Sequence, residues 1–162
     1  MARSGSQIRI TKSVLDRLID NEPGILSDAP ESPLKSLREL KSAVRRDLEW
    51  LLNTRRSIEN IPPDYEQTAR SLAAYGLPDF TAAGLKSPSV QEYIRRTIEE
   101  TVRLFEPRLM DVTVSLDPRL ESERALRFRI DGRLRVDPEP EPVTFDTTLQ
   151  VSSGEYEVKA QE

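Results

Sequence analysis

Acidic side chains are the residues best able to do chemistry in this 162-residue chain, because it contains no histidine and no cysteine. Those absences remove the commonest general base and the thiolates needed for disulfides, nucleophilic catalysis and most structural zinc sites. Two carboxylates could still act as acid and nucleophile, as in glycoside hydrolases, if burial raised the pKa of one of them. Most glutamates, however, occupy polar faces and loops, where water stabilises the charged form: Glu92, Glu99, Glu100, Glu121, Glu123, Glu139 and Glu141. We therefore predict that the chain is not an enzyme and carries no cofactor and no metal.

A second candidate site is the sequence Glu106, Pro107, Arg108, in which opposite charges flank a proline. An apolar helical pattern ends just before it, and an alternating strand pattern begins just after it. Proline donates no backbone hydrogen bond and disfavours helical geometry at the preceding residue, so it ends the helix and starts the strand without a loop. The residues alone leave two roles open for the charges: an ion pair at the helix end, or a surface for a protein partner.

Trp50 is a third candidate, because it lies on a stripe of the longest predicted helix that faces away from the leucine stripe. Either another element of the same domain covers it, or it anchors a partner surface, as buried tryptophans often do. Four arginines border it, although such charge clusters commonly form a solvated helix face: Arg45, Arg46, Arg55 and Arg56. An arginine row on the central predicted strand is explained by pairing with acids on neighbouring strands: Arg127, Arg129, Arg133 and Arg135.

Helical spacing of apolar residues predicts four helices in the first two thirds of the chain. The first is short, covers Val14 to Ile19 and is capped by Thr11 or Ser13. The second is long, begins at a capping box of Ser36 and Glu39 and carries the leucine stripe to Leu52. The last two are a short helix from Glu66 to Ala74 stopped by Gly76, and a long one from Ser87 and Pro88 to Pro107.

The apolar period changes to two at Met110, which predicts strands in the last third of the chain. In the first strand, Met110, Val112, Val114 and Leu116 are expected to face inward. The second strand runs from 124 to 137 through Asp131 and Gly132, where a bulge could form, because a two-residue turn there would mix core and solvent residues on one face.

A turn at Ser153 and Gly154 instead preserves the faces, pairing Leu149 with Val158 and Val151 with Tyr156. It therefore predicts a hairpin between the last two strands. The fold class is α+β: helices in the order short, long, short, long, followed by an antiparallel meander of three long strands and a short fourth.

The length and composition of the chain limit its possible number of domains and its possible partners. Its length fits one domain over 1–162, with a flexible N-terminus (1–10), a surface linker (21–35) and a tail (160–162). The net charge of −4 argues against a nucleic-acid partner. We expect a cytoplasmic protein without direct membrane insertion, because there is no signal-peptide pattern and no run of ~18 apolar residues.

Three stretches of the sequence match a known family: SAVRRDLEWLLNTRR at 42–56, YGLPDF at 75–80 and FEPRL at 105–109. Through them the chain resembles the TssE family, the baseplate-wedge subunits of bacterial type VI secretion systems. That family is related to the small wedge proteins of contractile phage tails and is also labelled lysozyme-like. The similarity covers almost the whole chain.

The resemblance implies a non-enzymatic subunit that binds the wedge proteins TssF and TssG, contacts TssK indirectly and templates the TssB/TssC sheath through an open sheet edge. It would be oligomeric only within a six-fold baseplate docked at the inner membrane. Glu106, Pro107 and Arg108 would dock onto the wedge, and Trp50, Arg45 and Arg55 are further candidates for partner binding. Two alternatives are a component of a phage-like or extracellular injection system, and a peptidoglycan hydrolase suggested only by the family label.

Overall fold

The computed structural model describes residues 10, 13–19, 33–58, 60–80, 87–116, 125–150 and 153–161. It confirms the α+β order of helices followed by strands. The elements are α1 (Val14–Leu18), α2 (Pro33–Asn53), α3 (Glu66–Ala69), a 3-10 helix (Leu72–Ala74), α4 (Pro88–Phe105), β1 (Leu109–Leu116), β2 (Ala125–Leu134), β3 (Glu141–Gln150) and β4 (Tyr156–Ala160). The predictions for residues 1–9, Thr11, the linker residues 21–32, Glu121, Glu123, Val151 and residue 162 lie outside the described residues.

A capping box and a proline explain where the first two helices begin. Ser13 caps α1 in a capping box, since its Oγ accepts from the Asp16 backbone N–H at 3.1 Å and Asp16 Oδ2 accepts from the Ser13 N–H at 3.2 Å. The start predicted for α2 is wrong: the helix begins at Pro33, so Ser36 lies in its first turns and residues 33–35 are not linker. Proline is well suited to a first helical position, because its missing N–H would have no partner there.

The prediction of one continuous helix from Glu66 to Ala74 is wrong. It is split into α3 and the 3-10 helix, because the Ser71 side chain accepts a hydrogen bond from the Ala73 N–H at 3.2 Å and starts a new cap. Gly76 follows with a φ of +96°, in the left-handed region expected of a helix stop.

The four strands form one antiparallel sheet in the order β1-β2-β3-β4. One face packs on α2 and α4, and the core between them is apolar: Val44, Leu48, Leu51, Ile94, Ile98, Val102, Phe128, Ile130, Leu134, Phe145 and Val158 are all buried. The opposite face carries the arginine row, and Arg129 and Arg133 pair with the cross-strand acids Asp146 and Asp111. Ala160 belongs to β4 and not to a tail.

The prediction that Met110 of the first strand faces inward is wrong. A bulge lies between Met110 and Thr113, where Asp111 has a φ of +53° and two residues of β1 oppose Gly132 of β2. The bulge turns Leu109 into the core and leaves Met110 only partly buried, so the strict alternation begins at Val112. β2 itself runs without interruption through Asp131 and Gly132, as predicted.

The hairpin between β3 and β4 is confirmed, but its predicted register is wrong. Leu149 pairs with Tyr156 and not with Val158. The Gln150 N–H donates to the Glu155 carbonyl at 2.8 Å, so these two residues pair at the hairpin end in place of the predicted partners. A shift of two residues keeps every side chain on its face, which is why the alternation alone could not fix the register.

Gly76 is the backbone position where substitution should cost most. A Cβ there would lie 2.2 Å from the Thr54 carbonyl oxygen, and the φ of +96° is strained for any other residue. We expect Gly76→Ala to lower the free energy of unfolding by about 2 to 4 kcal/mol in urea denaturation. Gly132→Ala is the matched control, because its Cβ would meet Met110 O at 3.2 Å without a positive φ. Equal losses in both variants would contradict this account.

Candidate docking groove at the helix-to-strand joint

The helix-to-strand joint is as direct as the sequence indicates. α4 ends at Phe105, Glu106 is its C-cap, and β1 begins at Leu109. The Glu106 N–H still donates to the Val102 carbonyl at 2.9 Å, and the Leu109 N–H turns back to the Glu106 carbonyl at 3.1 Å. Only Pro107 and Arg108 stand between the C-cap and the strand. The joint therefore fixes both charged side chains on backbone that has little freedom.

The two charges of the joint bind each other. Arg108 Nε donates to Glu106 Oε1 at 2.7 Å, Nη2 donates to Oε2, and the Arg108 backbone N–H donates to Oε1 at 3.2 Å. Two guanidinium donors on one carboxylate form a bidentate pair, which is the strong form of this contact. Glu106 is only 3% exposed. A carboxylate this deeply buried needs such a partner to remain charged at low cost.

Arg108 also connects the joint to two helices that are distant in sequence. Its guanidinium donates to Asp47 of α2 and lies 3.4 Å from Asp16 of α1. Arg46 closes the set, since its Nη2 donates to Asp16 at 2.8 Å and its Nε donates to Asp47 at 2.8 Å. We call Asp16, Arg46, Asp47, Glu106 and Arg108 the charge network.

The protonation of the charge network follows from these contacts. Burial alone would raise the pKa of Asp16, but hydrogen bonds from Ser13 and Arg46 outweigh it and hold the pKa below its ordinary value. Burial likewise opposes the charge on Arg108, yet its bonds to Glu106 and Asp47 raise its pKa. Asp16 and Arg108 are therefore both charged at neutral pH.

A groove of about 700 Å³ opens beside the charge network. Its lining includes Trp50, Phe105, Pro107, Arg108 and Arg135. Trp50 is 52% exposed, so the described residues leave about half of it uncovered, and the Arg46 guanidinium lies 5.2 Å from its ring centroid. The groove thus combines an exposed aromatic ring with fixed charges, the composition typical of interface centres.

Aromatic packing supports the wall of this groove next to the joint. Tyr75 meets Phe105 edge to face, with ring centroids 5.3 Å apart. Burial raises the pKa of Tyr75, and the nearby charges of Asp47 and Glu106 raise it further. The phenol therefore stays neutral and keeps its proton as a donor.

The structure brings Trp50 together with Glu106, Pro107 and Arg108, but it does not bring Arg45 or Arg55 to them. Arg45 points to the opposite side of α2, where it pairs with Glu49 at 3.0 Å and reaches the Val158 carbonyl of β4 at 3.4 Å. Arg55 lies beyond the end of α2 and pairs with Asp79 at 3.2 Å. Neither lines the groove: the helical turn of 100° per residue carries Arg45 to another face of α2, and Arg55 lies past the end of that helix.

Asp16, Arg46 and Asp47 were not predicted as site residues from the sequence, although Arg46 is among the arginines that border Trp50. Asp47 and Trp50 are three residues apart on one stripe of α2, which was a usable signal. Asp16 had no such signal, because its place beside Arg108 depends on how α1 packs.

Two further observations concern only the part of the chain that the structure describes. No group of three or more His, Cys, Asp or Glu side chains there could hold a metal ion. None of the helices is long and apolar enough to cross a membrane.

Removing Arg108 should destabilise the fold, because Glu106 would stay buried without its cation. We expect Arg108→Ala to lower the free energy of unfolding by about 3 to 5 kcal/mol in urea denaturation. The double variant Glu106→Leu/Arg108→Met should lose less, since no unpaired charge remains.

The exposed pair of Glu66 and Arg70 provides the control for this measurement. Arg70→Ala should change the free energy of unfolding by less than about 1 kcal/mol. A double variant less stable than Arg108→Ala would contradict the role assigned to the pair.

Acid should weaken the attachment of α1 through Asp16. Because the folded pKa of Asp16 is depressed, its contribution is present at neutral pH and is lost as the pH falls below about 4 towards the folded pKa. Asp16→Asn should therefore flatten the decline in unfolding free energy between pH 6 and 3. Asp64→Asn, at an exposed position, is the control. The same slope in both variants would show that Asp16 contributes nothing to acid sensitivity.

Comparison with known proteins identifies the family of the chain. Searches of curated proteins and of solved structures each found no match. The family model described as baseplate wedge protein gp25 matches residues 38–139, well over half of the chain. The matched segment contains Trp50 and the whole joint at 106–108. The resemblance to baseplate-wedge proteins is thereby confirmed, and the chain belongs to the family of baseplate wedge protein gp25.

Proposed function

We propose that the chain is a non-enzymatic subunit of a type VI secretion baseplate, bound to TssF and TssG in the wedge and templating the TssB/TssC sheath. Membership of a baseplate-wedge family supports a structural role in a contractile injection machine. The similarity of SAVRRDLEWLLNTRR and YGLPDF to the TssE family favours the secretion form over a phage-like or extracellular system. In this proposal the subunit works in the cytoplasm, in a baseplate at the inner membrane, with TssK reached through its neighbours.

The observation that carries the wedge contact is the groove beside the joint. Trp50 is about half exposed next to Pro107, and α1 adds the partly exposed apolar side chain of Leu15 to the lining of the same groove. An exposed tryptophan beside a rigid guanidinium is the kind of anchor that concentrates binding energy at interfaces. A helix of the wedge proteins with an apolar face and flanking charges fits this surface.

The charge network gives the groove its shape, and its side chains can keep their present contacts when a partner binds. Arg108 already makes contacts to Glu106, Asp47 and Asp16, so a partner meets a fixed surface and orders few side chains on binding. Binding to a preorganised surface loses less conformational entropy. In this proposal Glu106 and Arg108 hold the docking surface in place, and Trp50 and Pro107 touch the wedge directly.

A non-enzymatic role agrees with how the buried carboxylate is held. Glu106 accepts three hydrogen bonds from Arg108, so its oxygens are occupied and it is poorly placed to donate a proton to a substrate. We therefore expect no clearing of purified cell walls in a turbidity assay with the isolated subunit. Dose-dependent clearing that one carboxylate substitution abolished would establish a peptidoglycan hydrolase and contradict the scaffold role.

Truncating Trp50 should weaken wedge binding without weakening the fold. We expect Trp50→Ala to raise the Kd for the TssF–TssG complex about 30-fold, the effect of losing a hot-spot side chain worth ~2 kcal/mol. The measurement is calorimetric titration, with thermal unfolding as the check on folding.

Leu72→Ala is the matched control, because Leu72 is 83% exposed and does not line the groove. It should bind like the unmodified chain. If Trp50→Ala also bound with unchanged Kd, the groove would not be the wedge contact.

A further inference from the structure

The side chains that line the groove differ in whether they already have hydrogen-bond partners. The Asp47 carboxylate accepts from Arg46 and Arg108, and the Glu106 carboxylate accepts from Arg108. A partner that bound any of these charges would have to replace a charge-assisted hydrogen bond, which is about twice as strong as a neutral one. The chemistry that the groove can offer to a partner is therefore set by its other polar side chains.

Three lining residues carry hydrogen-bond donors without a partner in the described part of the chain: Trp50, Tyr75 and Arg135. Arg135 is exposed, and its guanidinium makes no described ion pair. The Tyr75 hydroxyl and the Trp50 indole N–H make no described hydrogen bond. Burial and the charges of Asp47 and Glu106 raise the pKa of Tyr75, so its hydroxyl is protonated at neutral pH. A guanidinium supplies five N–H donors, and the phenol and indole supply one each.

Unengaged acceptors are fewer among the side chains that line the groove. The Ser13 hydroxyl is occupied, since it donates to Asp16 at 2.6 Å and accepts from the Asp16 N–H at 3.1 Å. Asp137 also lines the groove and has no described partner, although it lies two residues after Arg135. Within the described residues, the unengaged side chains of the groove thus offer mainly donors, and the strongest of them is a cation.

The backbone of Arg135 is fixed at the joint. Its N–H donates to the Arg108 carbonyl at 2.8 Å, directly after β2 ends at Leu134. The next residue, Val136, is buried, so the alternation of the extended chain directs Arg135 to the opposite, exposed side. A ligand of this guanidinium would not need to order the backbone that carries it, which lowers the entropic cost of binding.

We propose that the groove recognises an Asp or Glu side chain of the docking partner, adjacent in space to an apolar side chain, with Arg135 as its cation and the Tyr75 hydroxyl as a second donor. This inference rests on the proposed function, because it names the chemistry of the wedge segment that the groove would bind. A guanidinium can hold a carboxylate through two parallel hydrogen bonds, which fixes orientation as well as affinity. The apolar side chain would pack against the exposed ring of Trp50.

Charge reversal at Arg135 tests the cation. Arg135→Glu should raise the Kd for the TssF–TssG complex at least about 30-fold in calorimetric titration, because two carboxylates would then face each other. Arg127→Glu is the matched control. Arg127 is exposed on the same strand, has no described partner and does not line the groove, so this variant should bind like the unmodified chain.

Two milder variants test the second donor and the sign of the charge. Tyr75→Phe keeps the ring that packs on Phe105 and should raise the Kd about tenfold, because a hydrogen bond to a charged group is lost. Asp137→Asn removes a carboxylate that would repel the ligand, so it should lower the Kd or leave it unchanged. A tenfold rise in Kd for Asp137→Asn would show that the groove recognises a cation and would overturn the inference.

Carbodiimide coupling identifies the partner's carboxylate directly. Arg135→Lys keeps the positive charge and introduces an amine, which the reagent joins to a contacting carboxylate as an amide. Mass spectrometry of the treated complex should find position 135 linked to an Asp or Glu of TssF or TssG, and Arg127→Lys should give no such product. The absence of this product in a complex verified by size-exclusion chromatography would overturn the inference.

The outcomes separate this inference from the proposed function. If Trp50→Ala weakened binding while Arg135→Glu and Tyr75→Phe bound with unchanged Kd, the carboxylate ligand would be overturned and the groove would stand as the wedge contact. An unmodified chain that failed to bind the TssF–TssG complex would overturn the proposed function and this inference with it.

Discussion

The buried carboxylate of Glu106 is the constraint on which the arrangement of this protein depends. A charge that is 3% exposed must be compensated, and Arg108 supplies the compensation from two residues away across Pro107. The same guanidinium also contacts Asp47 of α2 and Asp16 of α1. The ion pair of Glu106 and Arg108 therefore holds α1, α2 and the start of β1 together. The groove beside Trp50 is a consequence of that arrangement.

The helices do more than cover the core. α4 closes the β1 edge with charged side chains, whereas α2 covers the β4 edge with one neutral amide and a long contact from Arg45. Exposed sheet edges can pair with other chains, and charge-assisted hydrogen bonds close an edge more firmly than neutral ones. The β1 edge is therefore covered more firmly than the β4 edge.

Much of this fold could be predicted from the sequence, because helix and strand periods are properties of local patterning. The leucine stripe of α2, the joint at Pro107 and the uninterrupted β2 all followed from period and turn chemistry. The predictions that failed concern backbone detail, namely the bulge at Asp111 and the register between β3 and β4, which the pattern of apolar and polar residues does not fix. At the site, the residues of the joint were identified, but its partners on α1 and α2 depend on tertiary packing.

The central claim is that the groove at the joint is where the wedge proteins bind. Trp50 is the single tryptophan of the chain, so 5-fluorotryptophan places one ¹⁹F reporter in the groove. The most direct measurement is the access of a soluble paramagnetic quencher to that reporter before and after titration with the TssF–TssG complex. The account predicts a half-exposed reporter in the free subunit that becomes protected at saturation. A reporter that stays equally accessible in a complex whose formation is verified by size-exclusion chromatography would contradict it.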